Sequence, residues 1–529
     1  MRLLKSKLAL LLLCFSILLP AAASAHTPAT TGPAADLRAA LGQLLGEHAF
    51  LAIAAMQKGY DGAPDFNSAA GALNKNTDDL TAAVASVYGK EAGDAFKAIW
   101  SSHIGYFVDY VKATAAKDEK GRQAAVANLE KYRFEQADFF AKANPAYFKA
   151  DAIADGLKMH INHLLMAFDS YVNKDYANTY KDLRTAYAHM FLTADALAGG
   201  IAAQFPDKFP SMGQANPASD LRSALGRLLG EHANLAILAM QKGISGAADF
   251  PNAAGALGEN TDDLTAAVAS VYGKEAGEAF KTIWSSHIGY FVDYVKATAV
   301  KDEKGRQAAV ANLEKYRFEQ ADFFAKANPA YFKADAIADG LKMHINHLLM
   351  AFDTYVNKNY DAAYGDIRTA YAHMFLTGDA LSAGIVGQFP DKFHGPADMA
   401  KTTVWMKLNS GEFRINNAVT YMDTTPFLYH ESTFIPIRYL AEGLGAEVTW
   451  DNNTQTAWIK AGSDTLTFWI GKNYMEVNGM RKEIGSPVML HGGRTSVPVR
   501  FIAELLGWDV QWNNSDRSVT LTKAMDMNH

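Results

Sequence analysis

Over roughly the first 390 residues, apolar positions recur at three- and four-residue spacing, the period of a helix with one buried face. Leu37, Leu41, Leu44, Leu45, His48 and Leu51 share one such face. Asn76-Thr77-Asp78-Asp79 supplies a cap and first-turn acids for a following helix, and Gly89 breaks it. The pattern then predicts helices over Lys90–Ala116, Gln123–Ala143, Ala150–Asn173 and Tyr176–Ala203. Phe96, Ile99, Trp100, His103, Phe107 and Tyr110 stripe the first of these, and Ile153, Leu157, His160, Leu164 and Phe168 the third. Lys117–Gly121 is a polar turn and Asn144-Pro145 a stop. An antiparallel bundle of four long helices plus a shorter one is the natural packing.

The whole pattern returns. GEHAFLAIAAMQKG around His48 recurs as GEHANLAILAMQKG around His232, and the segments around His103 and His160 recur around His287 and His344, always 184 residues later. A repeat of that length is a duplicated domain, since solenoid units run about 20–50 residues. Long identical blocks mark the duplication as recent, so a residue's presence in both copies says little about its importance. The boundaries read as 26–210 and 211–395, with Pro210–Pro217 and His394–Thr403 as linkers.

Beyond residue 400 the period changes to alternation, as in Val404-Trp405-Met406-Lys407-Leu408, with Asn/Gly/Asp turns and a hairpin signal at Asn478-Gly479. A second duplication lies here. TFIPIRYLAEGLGAEVTW (Thr433–Trp450) matches TSVPVRFIAELLGWDVQW (Thr495–Trp512) at an offset of 62. Each unit reads as strand, Pro-x-Arg, short helix, Leu-Gly stop and a strand ending in Trp, with Gly445 and Gly507 placed to end the helices. The chain is therefore expected to be multidomain: two tandem all-α helical bundles followed by a small α+β domain with antiparallel sheet.

This pair of P-[IV]-R-[FY]-[IL]-A-E-x-L-G-x-x-V-x-W units resembles the copper amine oxidase N-terminal-like domain over about residues 403–523. The resemblance implies a small antiparallel sheet packed on helices. It also implies a domain outside the catalytic core that carries neither the copper nor the quinone cofactor. Asn359-Tyr360-Asp361 matches a quinone tripeptide, but it falls between helices of the second copy, where the first has Asp175-Tyr176-Ala177. No amine oxidase activity is expected. Arg438 and Arg500 offer an acidic ligand two cations, or else pair with Glu442 and Glu504.

Compartment follows from the N-terminus. Arg2, Lys5 and Lys7, the apolar run Leu8–Leu19 and Ala23-Ser24-Ala25 form a three-part secretory signal, residues 1–25, with maturation at His26. The single cysteine, Cys14, lies inside it, so the mature chain has neither disulfides nor thiolate ligands. The expectation is an exported protein, secreted or cell-wall associated, with no transmembrane segment after maturation. A net charge of −6 sets up no strong field, and nucleic acid is not an expected partner.

Five histidines per copy carry the candidate chemistry: His48, His103, His160, His163 and His189, then His232, His287, His344, His347 and His373. They come from four helices and fall on or beside apolar stripes. Bundles build metal sites from such inward side chains, and imidazole suits copper, iron, zinc or haem. Met159, Met166 and Met190 add soft donors for Cu(I). Glu-x-x-His spacing is missing, and Asp109, Asp169 and Asp195 stand six residues after a histidine, about 120° around the helix. A carboxylate-bridged pair is therefore not indicated. Two readings stay open: metal ligands, or core residues bonded to carbonyls or to Tyr106, Tyr110, Tyr171 and Tyr187. The function expected is a non-catalytic binding or scaffold protein whose partners are cell-wall or surface components, with duplication raising avidity. A purely structural envelope protein and a metal-dependent redox enzyme are the alternatives.

Overall fold

The computed structural model describes residues 30–209, 217–393, 401–415, 418–430, 432–443, 446–461, 464–514 and 516–524. The expected export segment with Cys14 and most of both linkers lie outside them. The chain divides after Ala397 into two compact units.

Among the described residues, each helical copy has six long helices rather than four and a short one. The first copy comprises α1 (Pro33–Tyr60), α2 (Phe66–Tyr88), α3 (Lys90–Ala115), α4 (Glu119–Ala143), α5 (Ala150–Val172) and α6 (Tyr176–Gln204). The second comprises α7 (Pro217–Ser245), α8 (Phe250–Tyr272), α9 (Lys274–Ala299), α10 (Glu303–Ala327), α11 (Ala334–Val356) and α12 (Tyr360–Gln388). The connections are tight. Gly89 at φ 92° turns α2 into α3 without a loop, a conformation that favours glycine. Asp118 and Asp175 cap α4 and α6 by accepting the Gly121 and Asn178 N–H groups.

The segment Asn76–Asp79, expected to open a helix, lies in the middle of α2. Asn76 and Thr77 are drawn into the core instead, while Asp78 and Asp79 stay exposed and pair with Lys97 and Arg368. Asn76 Nδ2 donates to the Leu44 carbonyl (2.9 Å) and to Glu47 Oε2 (2.8 Å), and the Thr77 hydroxyl donates back to the Leu73 carbonyl.

α1 sits at the centre, packed on α2, α3, α5 and α6 and on α7 of the other copy. Every residue from Gly46 to Ile53 is buried. α1 is long and apolar enough to cross a membrane by composition, but most of it is enclosed by its neighbours.

The two copies pack face to face, and their contacts are reciprocal. Arg184 grips Glu231 (3.1 Å) as Arg368 grips Glu47 (2.9 Å). Tyr180 donates to Asp249 as Tyr364 donates to Asp65. Arg38 bridges Asp195 and Asp220 as Arg222 bridges Asp379 and Asp36. On the axis the Tyr187 and Tyr371 hydroxyls meet at 3.2 Å, and the Phe191 and Phe375 rings lie parallel. A contact between i and j that returns between their repeat equivalents is an isologous twofold interface within one chain. Gly46 and Gly230 make it possible: a Cβ on Gly46 would stand 2.8 Å from the Tyr371 hydroxyl. Some contacts have diverged: Arg184 also holds Glu259, where the first copy has Lys75, and Ser68 bonds Asp361, where the equivalents are Asn252 and Ala177.

In the C-terminal unit, β1 (Lys401–Lys407), β2 (Glu412–Ile415), β3 (Ala418–Tyr421), β4 (Phe427–Tyr429) and β5 (Ser432–Pro436) lead to α13 (Ile437–Gly443). Next come β6 (Glu447–Asp451), β7 (Thr456–Ala461), β8 (Asp464–Trp469), β9 (Tyr474–Val477), β10 (Met480–Glu483), β11 (Met489–His491) and β12 (Arg494–Pro498). Then α14 (Val499–Leu505), β13 (Asp509–Asn513) and β14 (Ser518–Ala524) complete it. The sheets are antiparallel, ordered β13-β14-β1-β2-β3, β10-β9-β8-β7-β6 and β11-β12-β5-β4.

The internal duplication extends over the whole unit, well beyond the two stretches the sequence displays. Strands β1–β5 correspond to β8–β12 at the same offset of 62. Ile435 pairs with Val497, its own repeat equivalent, so the pseudo-twofold axis passes between them. Each five-stranded sheet takes two strands from one repeat and three from the other. Buried Val404, Met406 and Phe413 stand where the second half has buried Leu466, Phe468 and Met475. Asn478 and Gly479, both at positive φ, form the expected hairpin between β9 and β10, and Gly507 (φ 75°) follows α14 as expected. Gly445 lies outside the described residues. Arg500 is 3.9 Å from Glu504 with both groups exposed, a pairing that adds little.

The shared interface leads to a prediction. Residues 26–210 produced alone should form a twofold dimer that reuses the Tyr187, Phe191 and Arg184–Glu47 contacts. Analytical ultracentrifugation should give twice the single-copy mass, and Arg184→Glu should shift it to monomer. A wild-type fragment that stays monomeric at high micromolar concentration would contradict this.

Candidate metal centre

Three of the five candidate histidines in each copy converge. His48 comes from α1, His103 from α3 and His160 from α5, and one ring nitrogen from each lies within 4.8 Å of the others. His232, His287 and His344 repeat the arrangement. His48 and His103 are fully buried and His160 is nearly so.

The local sequence explains the geometry. In Gly46-Glu47-His48, glycine admits the other copy's tyrosine, glutamate turns to Arg368 and Asn76, and histidine, a further 100° around, faces inward. His103 Nδ1 bonds the Trp100 carbonyl one turn earlier. A carbonyl only accepts, so Nδ1 carries the proton and Nε2 presents its lone pair. That Nε2 stands 3.3 Å from His48 Nε2. Tyr132 of α4 stacks on the His103 ring (4.7 Å, 22°), and Trp100 packs on His48.

Polar atoms without partners gather here. His48 Nδ1 and both nitrogens of His160 make no hydrogen bond, nor do the Tyr132 hydroxyl, the Gln136 amide and Trp100 Nε1. His232 Nδ1 and both His344 nitrogens repeat this in the second copy. Buried polar groups are nearly always satisfied, so such a concentration points to a missing partner.

Burial holds all three imidazoles neutral. It pushes the pKa of His103 down to about 3, against the opposing pull of the Trp100 carbonyl. It pushes His48 and His160 well below the ordinary value, and repulsion from neighbouring imidazoles adds to the effect. Neutral imidazole is the ligating form.

The other two histidines stand apart from the triad. His163 and His189 face each other across α5 and α6, ring centroids 5.5 Å apart, and His189 Nε2 donates to the Gly156 carbonyl. His347 and His373 do the same in the second copy, with the Gly340 carbonyl as acceptor. The triad includes no carboxylate. Asp169 is bound to Tyr110 and Arg122, and Asp195 to Arg38. Met159 and Met166 are half exposed, whereas Met190 is buried. The Asn359-Tyr360-Asp361 tripeptide opens α12, where Asp361 accepts from Ser68.

A pH dependence follows. The folded imidazoles titrate below the ordinary value near 6.5, so on acidification the unfolded chain takes up protons first. Stability of the metal-free protein should hold above about pH 6.5 and fall progressively toward pH 3, where His103 itself begins to protonate. Urea midpoints measured at pH 7.5 and pH 5 should drop, and less steeply in a His103→Gln/His287→Gln variant.

A curated protein named "Protease inhibitor" from Brevibacillus choshinensis is 32% identical over 91 residues, 17% of this chain and 27% of that protein. The chain thus spans about a quarter of that relative's length. No solved structure matches. Residues 414–521 match the family described as the copper amine oxidase N-terminal domain.

Proposed function

We propose that this is an exported, non-catalytic metal-binding protein in which each helical copy holds one transition-metal ion on three imidazoles. The C-terminal unit serves as an accessory module that places the protein at the cell surface or in the medium. The observation that carries the reading is the convergence of three neutral, buried imidazoles, two of them with unbonded ring nitrogens, present twice. Two nitrogens each about 2.05 Å from a tetrahedral ion stand about 3.3 Å apart, the separation found between His48 and His103.

Of the candidate groups, zinc and copper fit this donor set best. Three nitrogens within 4.8 Å of one another suit a single ion and leave no plane for a porphyrin between them. Iron sites of bundle proteins draw on carboxylates, and the triad has none. Three protein ligands leave a fourth position on the ion, which would supply Lewis acidity or a binding point for a small ligand. The chain's own contribution is to fix the Nε2 tautomer of His103, to exclude water and to keep the imidazoles unprotonated.

The test is metal analysis of the full chain after dialysis against zinc or copper. Two ions per chain are expected, with a rise in thermal midpoint. His103→Ala with His287→Ala should weaken binding at least 100-fold while leaving helix content intact. Retention should persist at pH 5, since burial and not the ordinary imidazole pKa sets the protonation limit. Wild-type protein that takes up no metal at micromolar concentration would defeat the reading. Primary amines with copper supplied should release no hydrogen peroxide.

A further inference from the structure

A triad this enclosed poses a problem of access. His48, His103 and His160 expose almost none of their surface, and a hydrated ion cannot shed its water into an apolar core unaided. Of the second histidine pair, His163 is half-buried and His189 buried. His163 is three residues along α5 from His160. His189 lines two spaces at once: an apolar cavity of about 340 Å³ that it shares with His160, and a surface cleft of about 720 Å³.

Met159 and His163 line that same cleft, four residues apart on one face of α5. Met159 is 49% exposed, so its thioether is open to an ion arriving from solvent. Both imidazoles have nitrogen to offer. His189 donates through Nε2 to the Gly156 carbonyl, so in the neutral ring Nδ1 holds the lone pair. His163 Nδ1 is buried and has no partner. The second copy keeps Met343 at 46% exposure, with His347 and His373 at a ring separation of 5.4 Å.

We propose that Met159, His163 and His189, and equally Met343, His347 and His373, form a surface relay that captures monovalent copper and passes it inward to the triad. The proposal rests on the reading that the triad holds metal. Thioether with imidazole is a soft donor set, which selects Cu(I) over zinc, calcium or magnesium. Transfer is ligand exchange: copper stays monovalent, each new nitrogen bond replaces a relay bond, and no proton or electron is consumed.

The experiment uses the full chain and a coloured Cu(I) chelator as donor, read in stopped flow. A variant carrying Met159→Leu and His163→Asn alters the first copy alone. Wild type should load two ions in one phase. The variant should load half at that rate and half at least tenfold slower, with the same end-point. In parallel, the methyl signals of Met159 and Met343, followed by NMR during substoichiometric addition, should shift and then recover. Loading of both ions by the variant at the wild-type rate overturns the relay. So does an end-point of one ion, which would make these residues part of the holding site. Copper retained by the wild type with no methyl response refutes the relay and leaves the triad standing. Methyl shifts with no copper retained refute the triad, and with it the relay's destination.

Discussion

The helical unit depends on one constraint: α1 has no solvent face between Gly46 and Ile53. Each side chain there must be answered by a different neighbour, and the neighbours are fixed accordingly. Glu47 demands a cation and receives Arg368 from the other copy; His48 demands polar company and receives two further imidazoles. An uncompensated buried carboxylate costs several kcal/mol, so the two copies are tied through the same helix that carries the candidate site. Adjacent residues of one tripeptide thus couple the pairing of the copies to the geometry of the triad.

The electrostatics of this arrangement are unusually directional. Charged groups collect at the interface between copies, where Arg184 and Arg368 each neutralise more than one acid. The triad, one residue away in sequence, is kept free of charge and of carboxylates. A neutral nitrogen set favours ions that bind imidazole strongly and gives little to calcium or magnesium, which need oxygen.

Much of the fold was legible. The stripes containing Trp100, His160 and Leu164 placed α3 and α5 to within a residue or two, because amphipathic period survives whatever the tertiary partners are. The number of helices was not, because Asn76 and Thr77 carry the chemistry of a helix start, and only the position of Glu47 on another helix turns them into core residues. The histidines could be named from the sequence as candidates, but the grouping of three in each copy was hidden. His48, His103 and His160 lie far apart in sequence, and nothing in their spacing separates them from His163 and His189. In the C-terminal unit the Pro-x-Arg stretches were plain, while the equivalence of β1 with β8 was masked. There only the alternation persists: Val404 and Met406 against Leu466 and Phe468. The extent of the family match, 414–521, agrees with the span read from the motif.

The exchange of strands between the two halves of the C-terminal unit has a mechanical consequence. Its first and last strands, β1 and β14, lie side by side and antiparallel, with Lys401 opposite Ala524. Tension applied across the ends of the unit therefore loads their ladder from one end. It would peel the hydrogen bonds in succession rather than shear seven residue pairs at once. A ladder loaded in this way opens at low force and recloses readily, so the unit would behave as a compliant, resettable coupling rather than a rigid strut.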